Sequence, residues 1–402
     1  MNKNSDPFCI VGGGPAGMIA GLLFARAGVE TVVLEKHADF LRDFRGDTIH
    51  PSTLQLFHEL GLLDELLARD HVKVPVIHGR VAGETIPVAD FRYLPVVAPY
   101  IALMPQWDFL DFVAEAAGRY PGFTLRRRHE VTGAIVEDGR VVGVCVEGQG
   151  DVRASLVIAA DGRHSVLRAQ SGLPRQTIGA PMDVFWFRLP KTVAPDNESL
   201  GVFEAGRIFV LIDRRTYWQC AFVFPKGRAE NIRAQGLDAF KQRVAAIGPE
   251  TAAGIDAIGS WDDVKLLTVS VDRLETWHQP GMLFIGDAAH AMSPIGGVGI
   301  NLAIQDAVAA ANILAGPMAK GEDVEPLLDK VQDRRMLPTR LTQGMQKLVQ
   351  DRVIAPLLSD DSRFDRPPLA LRLLGGCPQL RRLPARAIGL GFRPEHVRSP
   401  KA

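Results

Sequence analysis

The sequence predicts an α/β fold, and three observations support this class. A short apolar run, a glycine-rich turn, a helical segment and a second apolar run follow one another over residues 8–35. Two later apolar runs, 155–160 and 282–285, end in Asp-Gly and Gly-Asp pairs, as expected of strands buried on both faces. Residues from about 180 to 275 are rich in β-forming side chains, and the chain beyond 300 has a helical pattern. Together these features predict a Rossmann-like domain, a second domain built on an antiparallel sheet, and C-terminal helices.

Length and composition indicate a globular protein whose partner is a small molecule. At 402 residues, the chain exceeds the roughly 250–300 residues at which a single core stops growing. Lys plus Arg and Asp plus Glu number 46 each, so the formal net charge is zero and no overall field attracts nucleic acid or an anionic membrane. The four cysteines are widely spaced, without a CxxC pair or a histidine cluster. This argues against a disulfide framework or a metal site and fits a reducing cytoplasm.

The sequence gives no sign of a membrane span or a secretory signal. The first seven residues are polar, and no apolar stretch approaches the roughly 20 residues needed to cross a bilayer. We therefore expect a cytoplasmic protein. A short amphipathic contact with a membrane surface and the oligomeric state are both left open.

The glycine-rich turn carries the most visible motif. It satisfies G-x-G-x-x-G directly after a strand and opens a helix, so backbone amides and the helix N-terminus can approach a pyrophosphate. Glu35, 18 residues after the last glycine, can accept hydrogen bonds from the adenosine ribose. A purely structural turn is the alternative, and the motif does not separate FAD from NAD. The residues assigned to a dinucleotide here are Gly12, Gly14, Pro15, Ala16, Gly17 and Glu35.

Several further elements follow from local pattern. Apolar residues spaced by three and four predict an amphipathic helix over 51–69, with Gly61 inside it, and a second helix is predicted over 108–119. Asp138-Gly139 between two β-rich runs predicts a tight hairpin over 131–146.

The second domain is predicted to contain strands at 183–189, 207–212 and 217–224, with one helix at 237–247. Because a sheet that covers a cofactor must bury one face, most of its aromatic residues are interpreted as core, with a pocket wall as the alternative. They are Phe185, Trp186, Phe187, Phe203, Phe209, Tyr217, Trp218, Phe222 and Phe224.

Two further segments decide between the dinucleotides. Residues 161–168 read D-G-R-H-S-V-L-R, which resembles the D-G-x-x-S-x-x-R segment of the flavoprotein aromatic hydroxylases, the monooxygenases similar to para-hydroxybenzoate hydroxylase. Residues 286–301 begin Gly-Asp-Ala-Ala-His and continue through a glycine-rich stretch, which resembles the G-D segment of the same family. The three motifs occur in the family's order over roughly the first 310 residues. The resemblance implies an FAD-dependent monooxygenase.

The G-D segment is expected to hold the flavin itself. A carboxylate at position 287 can accept hydrogen bonds from the ribityl chain, and the glycines leave the isoalloxazine edge open. The helix beginning near Gly299 would direct amides toward flavin N1 and O2, where they stabilise the negative charge of reduced flavin. An N-cap role for Asp287 and a plain loop for the glycines are the alternatives. The expected contacts are Gly286, Asp287, Pro294, Gly297, Gly299, Ile300 and Asn301, and Pro294, Gly296 and Gly297 form the flavin edge.

Five other positions enter through the same resemblance. It implies a flavin contact for Asp161 and use of the nicotinamide cofactor for its segment, whereas Arg168 has an ion-paired structural role as an equal alternative. Arg45 matches an arginine near the pyrophosphate and flavin, and Gln106 matches a glutamine that opens a helix and contacts FAD. Lys36 is also expected at the cofactor.

No catalytic residue is assigned. His290 follows the flavin aspartate, but relatives carry a histidine there as part of a structural turn. His50 is a candidate for the substrate side of the flavin, with a helix-entry role ahead of Pro51 as the alternative.

The resemblance also implies the reaction. NADH or NADPH reduces FAD, O2 adds at C4a to give a hydroperoxide, and its distal oxygen is transferred to an electron-rich aromatic carbon. The protein binds the substrate and excludes water, so it needs neither a nucleophile nor a metal. A phenol, a quinol or a polycyclic aromatic is expected as substrate; its identity, the regiochemistry and the choice between NADH and NADPH stay open.

Three rival functions were weighed. Flavin-dependent halogenases carry W-x-W-x-I-P, which residues 186–190 do not match. Prenyl reductases have an aromatic stretch ending in Phe-Pro and then G-x-G, and only the Phe-Pro occurs here, at 224–225. A non-catalytic flavin-binding protein is the third.

The expected domain organisation interleaves two domains. The FAD-binding domain takes residues 1–75, 106–180 and 276–330. The substrate domain takes 76–105 and 181–275, and a C-terminal helical region follows at 331–402.

Overall fold

The computed structural model describes residues 6–41, 48–191, 200–204, 206–359 and 367–402. Within these ranges the chain is mixed α/β, which confirms the predicted class. The α-helices are Pro15–Arg26, Pro51–Glu59, Leu63–Leu67, Gln106–Ala117, Val166–Ser171, Ala229–Ala234, Leu237–Ile247, Val298–Ala319, Leu328–Val349, Ala355–Leu357, Leu369–Gly376 and Arg382–Gly389.

The first sheet brings the three sequence motifs to one edge. All of its strand pairs are parallel except the outer one. In such sheets, ligands bind beyond the carboxyl ends of the strands, and each motif here directly follows a strand. In spatial order the strands are His278–Gln279, Met282–Phe284, Leu156–Ala159, Phe8–Val11, Thr31–Glu35 and Phe123–Arg127.

A long helix, Val298–Ala319, packs against Pro15–Arg26 over this sheet. We call Val298–Ala319 the core helix. With the turn before it, the segment Ile295–Ala319 is long enough to cross a membrane, and its most apolar stretch of 18 residues has a mean hydropathy of 1.4. The polar residues near its start interrupt the apolar run, but they do not lower the mean hydropathy below that of a helix able to cross a membrane. Because 83% of its apolar window is buried within the fold, the helix serves the protein core.

The predicted hairpin is confirmed. Its strands are Val131–Glu137 and Arg140–Val146, and a third strand, Gly150–Arg153, extends them. Asp138 (φ +47°) and Gly139 (φ +78°) are both left-handed, as a two-residue turn between twisted strands requires.

The second sheet has seven strands and includes the predicted ones. Its order is Lys265–Leu267, Met182–Pro190, Tyr217–Pro225, Arg207–Asp213, Leu200–Glu204, Val76–Val81 and Glu84–Asp90. The pair between 200–204 and 76–81 is parallel, so the sheet is not wholly antiparallel as expected. The strands at 76–90 thus join a sheet formed mainly by residues 182–267, whereas the domain boundaries themselves stay a prediction.

One face of the second sheet is an aromatic core. Phe187 and Phe222 each meet Phe240 of helix Leu237–Ile247 edge-on, with ring centroids 5.5 Å apart. Six of the nine aromatic residues belong to this buried cluster, which confirms the core interpretation for most of them. Trp186 and Phe203 belong to the opposite face.

The helix predicted over 51–69 is broken. It ends at Glu59, and a short helix resumes at Leu63. Gly61 has φ +72°, a left-handed conformation that terminates a helix. The apolar spacing continues across the break because both pieces bury the same side.

The tail after Pro367 packs back onto the fold, although its sequence shows no chemistry. Helix Arg382–Gly389 contacts the edge strand Glu84–Asp90. Glu395 pairs with Arg334 at 2.6 Å and with Arg335 at 3.4 Å.

Two smaller sheets complete the fold. One consists of Thr48–Ile49, Ile101–Leu103 and Val72–Val74, and the other of Arg175–Thr177, Asp272–Leu274 and His290–Ala291.

Candidate active site

One cavity of about 680 Å³ joins the two sheets. Its walls are the carboxyl ends of the first sheet, the start of the core helix and one face of the second sheet. This volume lies in the range of small-molecule sites. A ligand that fills the cavity therefore touches both sheets.

One end of the cavity is a cradle made by the first glycine motif. A Cβ on Gly17 would overlap the carbonyl oxygen of Gly12, and one on Gly12 would overlap that of Ala160, so these glycines let backbone segments pack closely. A Cβ on Gly14 would meet nothing within 4 Å. The helix that starts there has no acidic residue in its first turn, and no described residue caps it with a side chain. Its N-terminal amides are left for an anionic ligand, so the cradle fits a pyrophosphate.

Glu35 lies beside this cradle. Its carboxylate accepts the backbone N–H of Gly13 and of His37, both at 2.9 Å. These two amides hold the carboxylate at the cavity wall, where it can accept hydrogen bonds from ribose hydroxyls. The sequence did not assign His37 or Phe40, which also line this end.

Asp161 lines the cavity, and one of its two carboxylate oxygens is an unsatisfied acceptor. Its Oδ2 accepts the N–H of Val166 at 3.0 Å, whereas its Oδ1 is buried without a partner in the described part of the chain. Burial raises the pKa of this carboxyl, and hydrogen bonds from Ser165 and the backbone only partly oppose the rise. Buried polar atoms in native proteins almost always have partners, so a ligand donor is expected here.

Arg168 lies behind the cavity wall, which corrects its expected direct contact with the cofactor. Its Nη1 donates to the carbonyl oxygens of Asp287 at 3.2 Å and Ala288 at 3.3 Å, and it pairs with Asp272 at 3.3 Å. The ion-paired alternative is therefore the one that the structure shows. Arg168 positions the backbone that carries Asp287, whose side chain lines the cavity.

Gly286 is also held from behind, by a buried ion-pair network, and does not line the cavity. Its N–H donates to Asp306 at 3.1 Å, and that carboxylate contacts His290 at 2.6 Å and Arg335 at 2.9 Å. Burial alone would raise the pKa of Asp306, but His290 and Arg335 lower it overall. These contacts give Gly286 a positioning role, its expected contact with the cofactor stays a prediction, and the bond between His290 and Asp306 agrees with a structural role for His290.

The flavin-edge turn lies between the two sheets. Gly296 (φ +74°) and Gly297 (φ +63°) are both left-handed. A Cβ on Gly297 would lie 2.5 Å from Oγ1 of Thr48, and that hydroxyl donates to the carbonyl oxygen of Gly297 at 3.1 Å. Pro294 and both glycines line the cavity, so a flat ring can approach their backbone closely.

The core helix begins at this turn. It starts at Val298 without an acidic residue in its first turn, and none of the side chains that the structure describes caps it. Gly299 and Ile300 line the cavity. The partial positive charge of the helix N-terminus therefore faces the cavity and favours a negative charge there.

Asn301 clamps the turn with its side chain, which does not line the cavity. The expected contact of its backbone amide with the flavin stays a prediction. Its Oδ1 accepts the N–H of His50 at 2.9 Å and the hydroxyl of Thr53 at 2.8 Å, and its Nδ2 donates to the carbonyl oxygen of Thr48 at 3.1 Å. These contacts join the core helix to the segment before helix Pro51–Glu59.

His50 is fully buried outside the cavity, which corrects its expected place on the substrate side. Its Nδ1–H donates to the carbonyl oxygen of Ile388 at 2.8 Å, and its Nε2 has no partner among the described residues. Burial lowers the pKa of this imidazole to about 4. The helix-entry alternative therefore agrees with the structure.

The second sheet supplies the opposite wall, which the sequence left unassigned. Its register places Trp186 opposite Ala221, and Ala221 opposite Val210, so the three side chains share a face, and all three line the cavity. The signal was present in residues 184–187, where alternate positions are cavity wall and aromatic core.

Comparison with known proteins identifies the family. Residues 6–344 match the family described as an FAD binding domain. The chain belongs to the FAD-dependent monooxygenases that resemble para-hydroxybenzoate hydroxylase.

A relative supports this family assignment, and solved structures share the fold. The monooxygenase is 34% identical to 6-methylpretetramide 4-monooxygenase of Streptomyces rimosus, over 86% of this chain and 84% of that relative. Its fold is similar to that of P. aeruginosa PqsL in complex with 2-aminobenzoylacetate, with a TM-score of 0.76, 20% identity and coverage of 89% and 97%. It is also similar to the Diels-Alderase PyrE3, with a TM-score of 0.75, 21% identity and coverage of 96% and 80%.

FAD is therefore the cofactor of this monooxygenase, and the open cradle at Gly14, the orphan oxygen of Asp161 and the glycine turn fit it. Arg45 lies outside the described residues. Gly17, Arg168, Gly286, Asn301 and His50 do not line the cavity. The predicted residues that do are Gly12, Gly14, Pro15, Ala16, Glu35, Lys36, Gln106, Asp161, Asp287, Pro294, Gly296, Gly297, Gly299 and Ile300.

Proposed function

We propose that this monooxygenase uses NADH or NADPH and O2 to hydroxylate an aromatic small molecule, which is phenolic, a quinol or polycyclic, in the cytoplasm. The observation that carries the proposal is the single cavity with the glycine turn on one side and an apolar sheet face on the other. A flat aromatic molecule fits between them. Its reacting carbon then lies beside the edge where the turn leaves room for a flavin.

In this family, bound FAD would accept a hydride from a nicotinamide cofactor and would then activate O2, one oxygen atom of which is transferred to the substrate. The residues of this chain do the rest. The N-terminus of the core helix opposes negative charge at the flavin. Apolar side chains such as Val184, Val210 and Ala221 exclude water, which would otherwise divert activated oxygen to hydrogen peroxide.

The names of the relatives support oxygen transfer to a small molecule without choosing the substrate. The Streptomyces rimosus relative is named for 6-methylpretetramide, and the PqsL complex holds 2-aminobenzoylacetate. We therefore leave the substrate at the level of an aromatic class.

A substrate panel tests the proposal. The protein is loaded with FAD and supplied in turn with NADH and NADPH, together with phenols, naphthols and hydroxyanthraquinones. We expect at least one compound to stimulate NAD(P)H oxidation and O2 uptake and to give a product that gains one oxygen atom. Hydrogen peroxide as the only product across the panel would refute hydroxylation and leave FAD binding intact. A product without added oxygen would instead favour Diels-Alder chemistry, the activity for which PyrE3 is named.

A variant in the sheet wall locates the reaction. Ala221→Phe adds a ring at the centre of the wall, between Trp186 and Val210. We expect FAD content to be retained and product formation to fall at least tenfold, because the ring occupies the substrate space. The control is Ala234→Phe, on an exposed helix position. Equal activity in both variants would place the substrate elsewhere.

A further inference from the structure

One polar side chain interrupts the apolar wall of the cavity. Gln219 lies opposite Arg188 on one neighbouring strand and opposite Ile212 on the other, two residues from Ala221 on its own strand. The alternation of a strand therefore turns it to the same face as Ala221, about 7 Å away. Gln219 lines the cavity and is only 4% exposed.

The orientation of this amide is fixed by a second buried residue. The Nε–H of Arg214 donates to Oε1 of Gln219 at 3.2 Å. An arginine side chain has donors only, so the oxygen of the amide must be the end that faces it. The NH2 group is then the opposite end of the amide.

That NH2 group is a donor without a protein acceptor. In the part of the chain that the structure describes, Oε1 of Gln219 has the contact with Arg214, and Nε2 has no hydrogen-bond partner. Nε2 is nevertheless not enclosed in the protein interior. Among the described residues, it does not belong to the side-chain atoms that are both shielded from solvent and without a hydrogen-bond partner. The donor therefore faces the cavity that Gln219 lines.

A donor in this position selects its ligand by chemistry. Leaving a nearly buried amide N–H without an acceptor is unfavourable, whereas an apolar side chain would continue the wall at no such cost. An aromatic ligand with an oxygen acceptor at this point satisfies the donor. An otherwise identical ligand without the oxygen leaves it unpaired.

We propose that Gln219 is a specificity-determining residue that donates a hydrogen bond to a carbonyl or phenolate oxygen of the aromatic substrate. Arg214 is its positioning residue, since it prevents the amide from turning its oxygen toward the ligand. The inference rests on the proposed function in so far as that function places an aromatic molecule in this cavity. It adds that the molecule carries an oxygen acceptor facing the second sheet.

The test compares two probes that differ in ring carbonyls. Anthraquinone-2-sulfonate has two, and anthracene-2-sulfonate has none. Their dissociation constants are measured on the oxidised FAD-loaded enzyme by quenching of tryptophan fluorescence, since Trp186 lines the cavity. We expect the wild type to bind the anthraquinone about tenfold more tightly, the ratio that one neutral hydrogen bond provides. Gln219→Met, which keeps the length of the side chain, should reduce that ratio to about one.

Three more variants separate this role from a loss of structure. Gln219→Glu replaces the donor by an acceptor and should reverse the preference. Arg214→Met should weaken the preference while FAD content and anthracene binding stay constant, and Arg214→Lys, which keeps a donor, should restore it in part. The exposed change Gln235→Met should leave the ratio unchanged.

Three results would overturn the inference: no preference in the wild type, no binding of either probe, or an unchanged ratio in Gln219→Met. Because these measurements need no turnover, a failure of this inference can be distinguished from a failure of hydroxylation. An enzyme that shows the Gln219-dependent preference yet forms no oxygenated product would keep this inference and lose hydroxylation.

Discussion

The substitution Gly297→Ala tests how strongly the conformation of the flavin-edge turn limits FAD binding. Gly297 has φ +63°, and the left-handed region costs a residue with a Cβ about 1–2 kcal/mol. Its Cβ would also lie 2.5 Å from Oγ1 of Thr48, which must then move and lose its bond to the Gly297 carbonyl, a further loss of about 1 kcal/mol. The sum of about 2–3 kcal/mol predicts that Gly297→Ala raises the dissociation constant of FAD roughly 30- to 150-fold.

Gly296→Ala is the matched control. Gly296 has φ +74°, but its Cβ would meet no heavy atom closer than 3.5 Å. Only the conformational part remains, so we expect FAD affinity to fall roughly 5- to 30-fold, as measured by quenching of flavin fluorescence. Adding Thr48→Ala to Gly297→Ala should recover most of the difference. Equal losses in the two single variants, or no recovery in the double variant, would refute the reasoning.

Three further perturbations have defined outcomes. Glu35→Gln should lower FAD affinity about tenfold in the same titration. In the wild type both carboxylate oxygens accept a backbone N–H, whereas the NH2 group of the glutamine would face one of these two donors. Unchanged affinity would count against the proposed role of the cradle. Arg168→Met should lower the free energy of unfolding in urea by about 3 kcal/mol, because it removes a guanidinium from the buried Asp272 carboxylate; a change below 1 kcal/mol would show that the pair contributes little. Burial lowers the pKa of His50 to about 4, below its usual 6.5, so protonation favours the unfolded chain. The free energy of unfolding should therefore decrease by about 3 kcal/mol as the pH is lowered from about 6.5 to about 4. His50→Gln should flatten that part of the urea-unfolding profile, and an identical profile in the variant would assign the pH dependence to other groups.

Local pattern was enough to predict the elements that local chemistry determines. The turn at Asp138-Gly139 requires two left-handed residues, and the helix Leu237–Ile247 has its expected bounds. Gly61 shows the limit of periodicity. An apolar stripe continues whether a helix runs through a glycine or stops and restarts there, so the spacing alone could not show the break.

The sequence motifs predicted where the site lies but not the structural role of each residue in them. Gly14 and Gly17 stand in one motif, yet Gly14 faces open space and Gly17 packs on the carbonyl of Gly12. A motif indicates that a position requires glycine. It does not show whether the missing side chain makes room for a ligand or for another backbone segment. Arg168 likewise belongs to a cofactor motif and acts through the backbone of Asp287.

The substrate wall was missed for a different reason. Trp186 and Phe187 are neighbours in sequence and lie on opposite faces of the sheet, one toward the cavity and one toward the core. The alternation gives two faces but does not say which one meets the flavin. That choice depends on long-range packing of the core helix and the tail, which no local pattern contains.

A crystal structure of the FAD-loaded enzyme with the best ligand from the substrate panel tests the central claim most directly. We expect an isoalloxazine ring against residues 294–300 and the ligand between that ring and the wall formed by Trp186, Val210 and Ala221. A flavin outside this cavity, or a ligand bound away from the second sheet, would contradict it.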